Sequence, residues 1–257
     1  AFCNIFKREP IVLTTHGVTA NYQGWKGAIE DVYHRSICKW MLNSVDKVVA
    51  LSSEEVALLE RLGVNGDKIT LIPNGIDLNR INLEANAQEF KRIYQLDNRN
   101  IVLFVGLLIS RKGIEYLIES PGLSCRVLIA GHVRDDPQGH SGNKRALQRQ
   151  VKDLGLENKV LFLGTLTGKE LEYAYLAADL FVLPSLAEGL PITLLEAMAY
   201  GKSVIATDIP GNSDVIQDGE NGILFEVGNA AQLAGKIDYL LKSPYVRRKL
   251  GENARFS

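Results

Sequence analysis

Short apolar runs rich in β-branched and aromatic residues alternate along the chain with longer stretches whose apolar positions recur at helical spacing. The runs at 11–15, 47–51, 69–72, 101–106, 126–130, 159–163, 180–183, 203–207 and 222–225 read as strands. Helical spacing occurs at 27–43, 53–62, 84–94, 144–154, 169–177 and 230–242. Strands that are apolar on both faces and separated by helices are expected to run parallel, with helices covering either side. The predicted fold class is therefore α/β with doubly wound parallel sheets.

The succession Ile72-Pro73-Asn74-Gly75-Ile76-Asp77 interrupts this alternation. Proline, asparagine and glycine in a row favour a turn and do not continue a central strand. Six strand candidates follow from residue 101 onward, enough for a complete open sheet, whereas three precede Pro73. The expected organisation is a partial first domain at 1–77, a connection at 78–100 and a second domain at 101–257. Three strands make a small core, so the first part reads as the end of a domain whose beginning is absent. The helical pattern at 247–257 is expected to reach the terminus without a cap.

Composition narrows the function classes. At 257 residues, with 46% apolar and 23% charged residues, the chain is of ordinary soluble globular type and long enough for a core that needs no staple. Lys and Arg number 29 against 30 Asp and Glu, a formal charge of −1, which argues against a nucleic-acid binder that works by neutralising phosphates. Cys3, Cys38 and Cys125 are isolated and odd in number, so neither a disulfide framework nor a zinc site is expected. No run approaches the ~18 consecutive apolar residues of a spanning helix, and no basic segment followed by an apolar one opens the chain. The expected setting is a reducing, cytoplasmic compartment.

In open α/β sheets, ligands collect where strands end and the following helices begin. The fullest such stretch runs Leu183-Pro184-Ser185-Leu186-Ala187-Glu188-Gly189-Leu190-Pro191-Ile192-Thr193-Leu194-Leu195-Glu196 and on to Gly201. A strand is expected to end at Leu183, Pro191 to take the first helical position and Gly201 to stop the helix. The amides of Ile192 and Thr193 would then lie unpaired at a helix N-terminus, a site suited to phosphate. Glu188 just before the helix and Glu196 inside it add two carboxylates, which accept hydroxyl donors. A diphosphate with hydroxyl-bearing groups on both sides, such as a nucleotide-sugar, matches that set. The plainer alternative has Glu188 complementing the helix dipole and Glu196 solvated. Leu194, Leu195, Ala197 and Met198 around Glu196 are poor neighbours for a solvated face.

The E-x(7)-E spacing of Glu188 and Glu196, with Ala197-Met198-Ala199-Tyr200-Gly201-Lys202-Ser203-Val204-Ile205-Ala206-Thr207-Asp208 behind it, resembles the signature of retaining GT-B glycosyltransferases. More narrowly it resembles the family-four group, the glycosyl transferases group 1. Thr15-His16-Gly17, the 72–77 turn, Val105-Gly106 with Arg111-Lys112-Gly113, Phe162-Leu163-Gly164 and Asp218-Gly219-Glu220-Asn221-Gly222 extend the resemblance, in order, over most of the chain. It implies a GT-B fold of two Rossmann-like domains, the first on the acceptor side and the second binding the nucleotide-sugar. It further implies that Glu188 meets the donor sugar's hydroxyls and that Glu196 holds the ribose. The amides of Ile192 and Thr193 would take the diphosphate, Lys112 would neutralise it as it departs, and His16 would face the donor sugar. On residues alone, His16 also suits a hydrogen-bonded core position. Gly106, Gly189 and Leu190 belong to the donor site on the same footing. No cofactor or metal is implied, and no two aspartates stand as D-x-D, the usual spacing of metal-dependent transferases. The implied partners are a nucleotide-sugar donor, UDP-linked as the commonest choice, and a saccharide or lipid-linked acceptor, as in polysaccharide biosynthesis.

The chain also departs from that pattern. Leu107 stands where the family usually carries an arginine, which removes a cation from the diphosphate site, and Arg111 is the candidate to replace it. Pro191 has no N–H to donate, and Asp214 stands where a glutamate is common. The stretch 132–143 is longer than the usual loop, and the N-terminal glycine-rich loop of the family is missing. Two other readings stay open: a non-catalytic nucleotide-sugar binder, and another enzyme on the same fold such as an epimerase or a phosphorylase. Gly201-Lys202-Ser203 fails as a phosphate loop because its first glycine would fall at Glu196. No Gly-x-Gly-x-x-Gly follows a strand, which argues against a dinucleotide oxidoreductase. Lys242, Arg247, Arg248 and Lys249 near Tyr245 and Leu250 form a basic stretch that suits either a solvated helix face or peripheral docking on the inner face of a membrane.

Overall fold

The computed structural model describes residues 9–15, 38–96, 99–120, 125–132 and 141–257, with the backbone alone at 141–143. The chain divides into two compact units, residues 1–74 with 188–190 and residues 75–187 with 191–257.

In the first unit, β1 (Val12–Thr14), β2 (Lys47–Ala50) and β3 (Ile69–Leu71) form a parallel sheet in that order. Helices α1 (Lys39–Ser44) and α2 (Ser53–Arg61) accompany it. Leu42, Val45, Val48, Ala50, Leu59 and Val64 make its core. Helix α2 starts where extended Ser52 accepts the Glu55 amide on its hydroxyl at 3.2 Å, and Glu54 and Glu55 suit the positive end of the dipole. The buried Glu55 carboxylate also accepts the Thr15 hydroxyl and the Leu51 amide, each at 2.6 Å, so it fastens the ends of β1 and β2 together.

The second unit holds a six-stranded parallel sheet in the order β6-β5-β4-β7-β8-β9. Its strands are β4 (Ile101–Val105), β5 (Arg126–Ala130), β6 (Val160–Gly164), β7 (Leu180–Leu183), β8 (Ser203–Thr207) and β9 (Ile223–Phe225). Between and around them lie α3 (Gln88–Ile93), α4 (Ile114–Glu119), α5 (Ser141–Asp153), α6 (Gly168–Ala177), α7 (Ile192–Ala199), α8 (Pro210–Ser213), α9 (Ala230–Lys242) and α10 (Pro244–Arg255). Every residue of β4, β7 and β8 is buried, as strands covered on both faces must be. The strand order reverses between β4 and β7, the place where ligands bind in sheets of this kind. The expected doubly wound α/β architecture is thus present.

Several local expectations are corrected. Helix α3 begins at Gln88 rather than 84, because the side chains of Asn82 and Asn86 accept the amides of Glu84 and Gln88, at 3.1 and 2.8 Å, and hold the chain in turns. Pro191 is the cap of α7 and not its first helical residue. Its ψ of 114° is extended, and its carbonyl accepts from Leu194 and Leu195. The last helix ends inside the chain at Arg255, where the Phe256 amide donates to the Asn253 carbonyl. Helix α4 was not anticipated, although buried Ile114, Leu117 and Ile118 carry its spacing. The expected helix 27–43 lies outside the described residues as far as residue 37.

Two members of the basic stretch near the C-terminus are engaged. Arg247 donates to the Leu240 and Leu241 carbonyls at 3.1 and 3.2 Å and pairs with Asp179 at 3.4 Å, while Lys242 pairs with Asp238 and Leu250 is buried. Arg247 thereby ties the end of α9 to the start of β7. Among the described residues no helix is long and apolar enough to cross a membrane.

Lys202 closes the C-terminal end of α6 by donating to the Leu176 and Ala178 carbonyls, both at 3.0 Å. Burial pushes its ammonium down to about 8, although Asp179 nearby pulls the other way. A neutral amine still has two N–H groups for the two carbonyls, so neither bond is lost with the third proton. The unfolded chain, with a lysine of ordinary value 10.5, holds that proton more tightly than the folded one. Wild type is therefore expected to gain stability over Lys202→Met as pH rises from about 8 towards 10.5, by at most about 1.4 kcal/mol per pH unit. Paired urea titrations at pH 7.5, 8.5 and 9.5 check this. A difference that is flat, or that falls with pH, contradicts it.

Candidate functional site at the strand ends

The loops that leave β4 and β7 lie against one another. Gly113 sits in the left-handed region at φ 61°, and a Cβ there would come within 2.0 Å of the Pro184 carbonyl oxygen. Only glycine meets both conditions. Beside this contact the Leu186 amide donates to the Arg111 carbonyl at 2.8 Å. The two loops are thus joined backbone to backbone. Gly106 approaches its neighbour as closely: its amide donates to the Ala130 carbonyl, and a Cβ on Gly131 would fall 2.1 Å from the Gly106 carbonyl oxygen. The half-buried Lys112 side chain passes Gly106, its Cε 3.8 Å from where a Cβ would stand. Arg111 is exposed in the short 3-10 turn Ser110–Lys112. Leu107, in the position of the missing cation, is half-buried.

The loop from β7 is held from the other side as well. Thr207 at the end of β8 donates its hydroxyl to the Ser185 carbonyl at 2.5 Å, and buried Asn212 in α8 donates to the Thr207 carbonyl and hydroxyl at 2.9 and 3.1 Å. The Asn212 Oδ1 is buried without a partner among the described residues.

Helix α7 then begins. The amides of Ile192 and Thr193 have no partner among the described residues, and its cap, Pro191, contributes no side-chain bond. Ile192 is exposed and Thr193 half-buried, so the open end of the helix faces solvent. Glu196 is half-buried on this helix, and its Oε2 accepts the Tyr175 hydroxyl at 2.7 Å. Tyr175 is 1% exposed, stacked on Tyr200 at 5.1 Å and tilted against Phe181 at 6.0 Å. Burial and the neighbouring Glu196 carboxylate push the Tyr175 phenol well above its usual value, so it stays a donor. Burial, with Glu172 and Glu196, raises Tyr200 too. The sequence reading missed Tyr175: nothing in the spacing of α6 marks a buried tyrosine that reaches another helix.

Of the sequence-predicted residues, Gly106, Arg111, Lys112, Ile192, Thr193 and Glu196 all lie at or beyond the C-terminal ends of β4 and β7 in the second unit. Glu188, Gly189 and Leu190 group with the first unit, where the Asn74 side chain donates to the Leu190 carbonyl at 2.9 Å. Glu188 and Gly189 are half-buried, and Leu190 is buried. His16 lies outside the described residues. A cavity of about 510 Å³ near the ends of β8 and β9, bordered by Asp208, Asp218, Glu226 and Gln232, contains none of these residues. Burial raises both described thiols, Cys125 to about 12, which makes them poor nucleophiles.

The chain as a whole has known relatives. Residues 86–256 match the family described as glycosyl transferases group 1, and residues 1–80 match glycosyltransferase family 4. The chain is 32% identical over 261 residues to the D-inositol 3-phosphate glycosyltransferase of Nocardia farcinica, covering 96% of this chain and 57% of that relative. It spans about half the length of the curated relatives it matches. Among solved structures it is similar to Anabaena Alr3699/HepE in complex with UDP-glucose, with a TM-score of 0.86, 23% identity, and 99% of this chain and 69% of that one covered. The sucrose-phosphate synthase of Thermosynechococcus elongatus gives a TM-score of 0.85 at 28% identity, over 99% of this chain and 64% of that one.

Gly113→Ala is expected to cost about 2 kcal/mol or more, from the left-handed backbone plus the collision with Pro184. Gly155→Ala has the same kind of backbone, φ 64°, but nothing within 4 Å, and is expected to cost about 1 kcal/mol. Urea midpoints of the two variants measure the difference, and equal losses would mean that the two loops are not tightly apposed.

Proposed function

We propose, from the premise that this chain belongs to the glycosyl transferases group 1 family and has its GT-B fold, that the second unit binds a nucleoside-diphosphate sugar. A UDP-sugar is the first choice, supported by the UDP-glucose complex of the Anabaena protein. The protein moves the sugar to a saccharide or lipid-linked acceptor, with retention at the anomeric carbon and without a metal ion. The observation that carries this reading is the open start of α7: two partnerless amides, with a carboxylate on the same helix and a lysine-bearing loop at the neighbouring strand end.

The hard step is departure of the diphosphate from the anomeric carbon. Negative charge grows on its terminal oxygens as that bond lengthens, and donors already fixed in place stabilise the charge without reorganising. The Ile192 and Thr193 amides, at the positive end of α7, are such donors. Lys112 adds the cation, and with Leu107 neutral, Arg111 is the second basic residue of that loop. Glu196 accepts ribose hydroxyls. Glu188 accepts hydroxyls of the donor sugar, which fixes the ring before the bond breaks. His16 is given to the donor sugar by the family resemblance alone. Metal independence is supported by the cationic and amide groups offered to the phosphates and by the lack of D-x-D. Of the basic stretch at the C-terminus, Arg248 and Lys249 remain exposed beside Tyr245, and peripheral contact with anionic lipid would fall to them.

A thermal-shift panel of UDP, GDP, ADP, CDP and NAD in EDTA tests the donor class. A nucleotide at about 100 times its Kd is expected to stabilise by ~2.7 kcal/mol, roughly 5–10 °C for a chain of this size. One nucleoside diphosphate should shift the midpoint, with or without EDTA. Silence from all five sinks the reading. Glu196→Ala is expected to weaken binding of that nucleotide about tenfold or more, whereas Glu188→Ala should leave it bound and, in a full-length enzyme, lower sugar transfer. Equal loss of binding from both contradicts the division of roles.

A further inference from the structure

We propose that Tyr175 is a positioning residue for nucleotide recognition, its buried hydroxyl holding the Glu196 carboxylate in the one orientation that meets the ribose. The inference rests on the reading of Glu196 as the ribose ligand.

A phenol has one proton to donate, and here two acceptors stand within reach: Glu196 Oε2 at 2.7 Å and the Thr193 carbonyl at 3.3 Å. The shorter bond goes to the carboxylate. A buried tyrosine needs some partner, and the carbonyl alone would have met that need. The contact with a carboxylate is charge-assisted and directional, and it does something the carbonyl contact would not. Glutamate has three side-chain torsions and loses much conformational freedom when it is held. With Oε2 held, Oε1 is the oxygen without a protein partner among the described residues, and its direction is set. The Tyr175 ring cannot drift to accommodate other positions of Glu196, because Tyr200 stacks flat on it, 11° from parallel, and Phe181 lies against it. The aromatic cluster thus carries the rigidity of the core to a carboxylate at its edge. A carboxylate aimed in this way should distinguish a ribose from a deoxyribose, because a missing hydroxyl leaves its free oxygen unpaired.

The test measures binding of UDP and 2′-deoxy-UDP, or the corresponding pair for whichever nucleoside diphosphate gives the thermal shift, to the 257-residue chain. Wild type, Tyr175→Phe, Glu196→Gln and the double variant are compared by calorimetry. Tyr175→Phe is expected to weaken the ribonucleotide about tenfold and the deoxynucleotide little, so the preference between them collapses. Glu196→Gln should lose the same preference, and the double variant should add nothing to it. If Glu196→Gln loses the preference and Tyr175→Phe keeps it, or weakens both nucleotides equally, Tyr175 is only structural and the proposal is overturned. If Glu196→Gln keeps the preference, the ribose assignment itself fails, and the proposal with it. Should the phenylalanine variant not fold, 3-fluorotyrosine at position 175 keeps ring and hydroxyl. Its fluorine resonance is expected to move when the ribonucleotide binds and to stay still in the Glu196→Gln background; movement in both, or in neither, overturns the proposal.

Discussion

Where the loop after β4 crosses the loop after β7, the gap between them is too small for any side chain: a Cβ on Gly113 would sit 2.0 Å from the Pro184 carbonyl oxygen. The rest of the candidate site inherits its geometry from that crossing. The Leu186 amide can bond the Arg111 carbonyl because the backbones are already that close. Lys112, one residue before the glycine, is carried back past Gly106. On the far side Thr207, itself held by Asn212, bonds the Ser185 carbonyl, so the loop that leaves β7 is held from both flanks. The open amides of Ile192 and Thr193 follow that loop in the chain.

Much of this was legible in the sequence, and for identifiable reasons. The strands at 126–130, 180–183 and 203–207 stand where their apolar runs stand, because burial on both faces, Arg126 aside, leaves no other pattern. The start of α7 was legible to within one residue, since a proline next to a helix has few places to go, and it took the cap. What spacing could not convey is contact between residues far apart in the chain. Tyr175 and Glu196 meet across two helices, and Arg247 reaches Asp179 from the end of the chain. Charge alone made Arg247 look like a surface cation, whereas three acceptors draw it inward. The late start of α3 was hidden for a different reason: asparagine side chains compete locally with the helix for amides, and apolar periodicity does not register that competition.

Several polar side chains away from the site are closed off internally. Lys202 ends α6 with two carbonyls, and Glu55 joins β1 to β2 through an amide and a hydroxyl. At the start of α7 the amides of Ile192 and Thr193 are left open, as the first amides of a helix are.

The order of the strands also bears on how the sheet comes to exist. Its central pair, β4 and β7, is joined through Ile101 and Asp179, which are 78 residues apart in the chain. Neighbouring strands closer in sequence can pair early, but this pair must wait for the intervening segment to be ordered, because closing a long loop costs entropy before any contact repays it. Until then β4 and β7, both apolar on every face, present bare edges to other chains. The same reversal in strand order that leaves a crevice for a ligand in the finished protein therefore leaves a sticky seam in the unfinished one. Assembly at that seam is therefore expected to be a slow step of folding and the point at which refolding competes with aggregation.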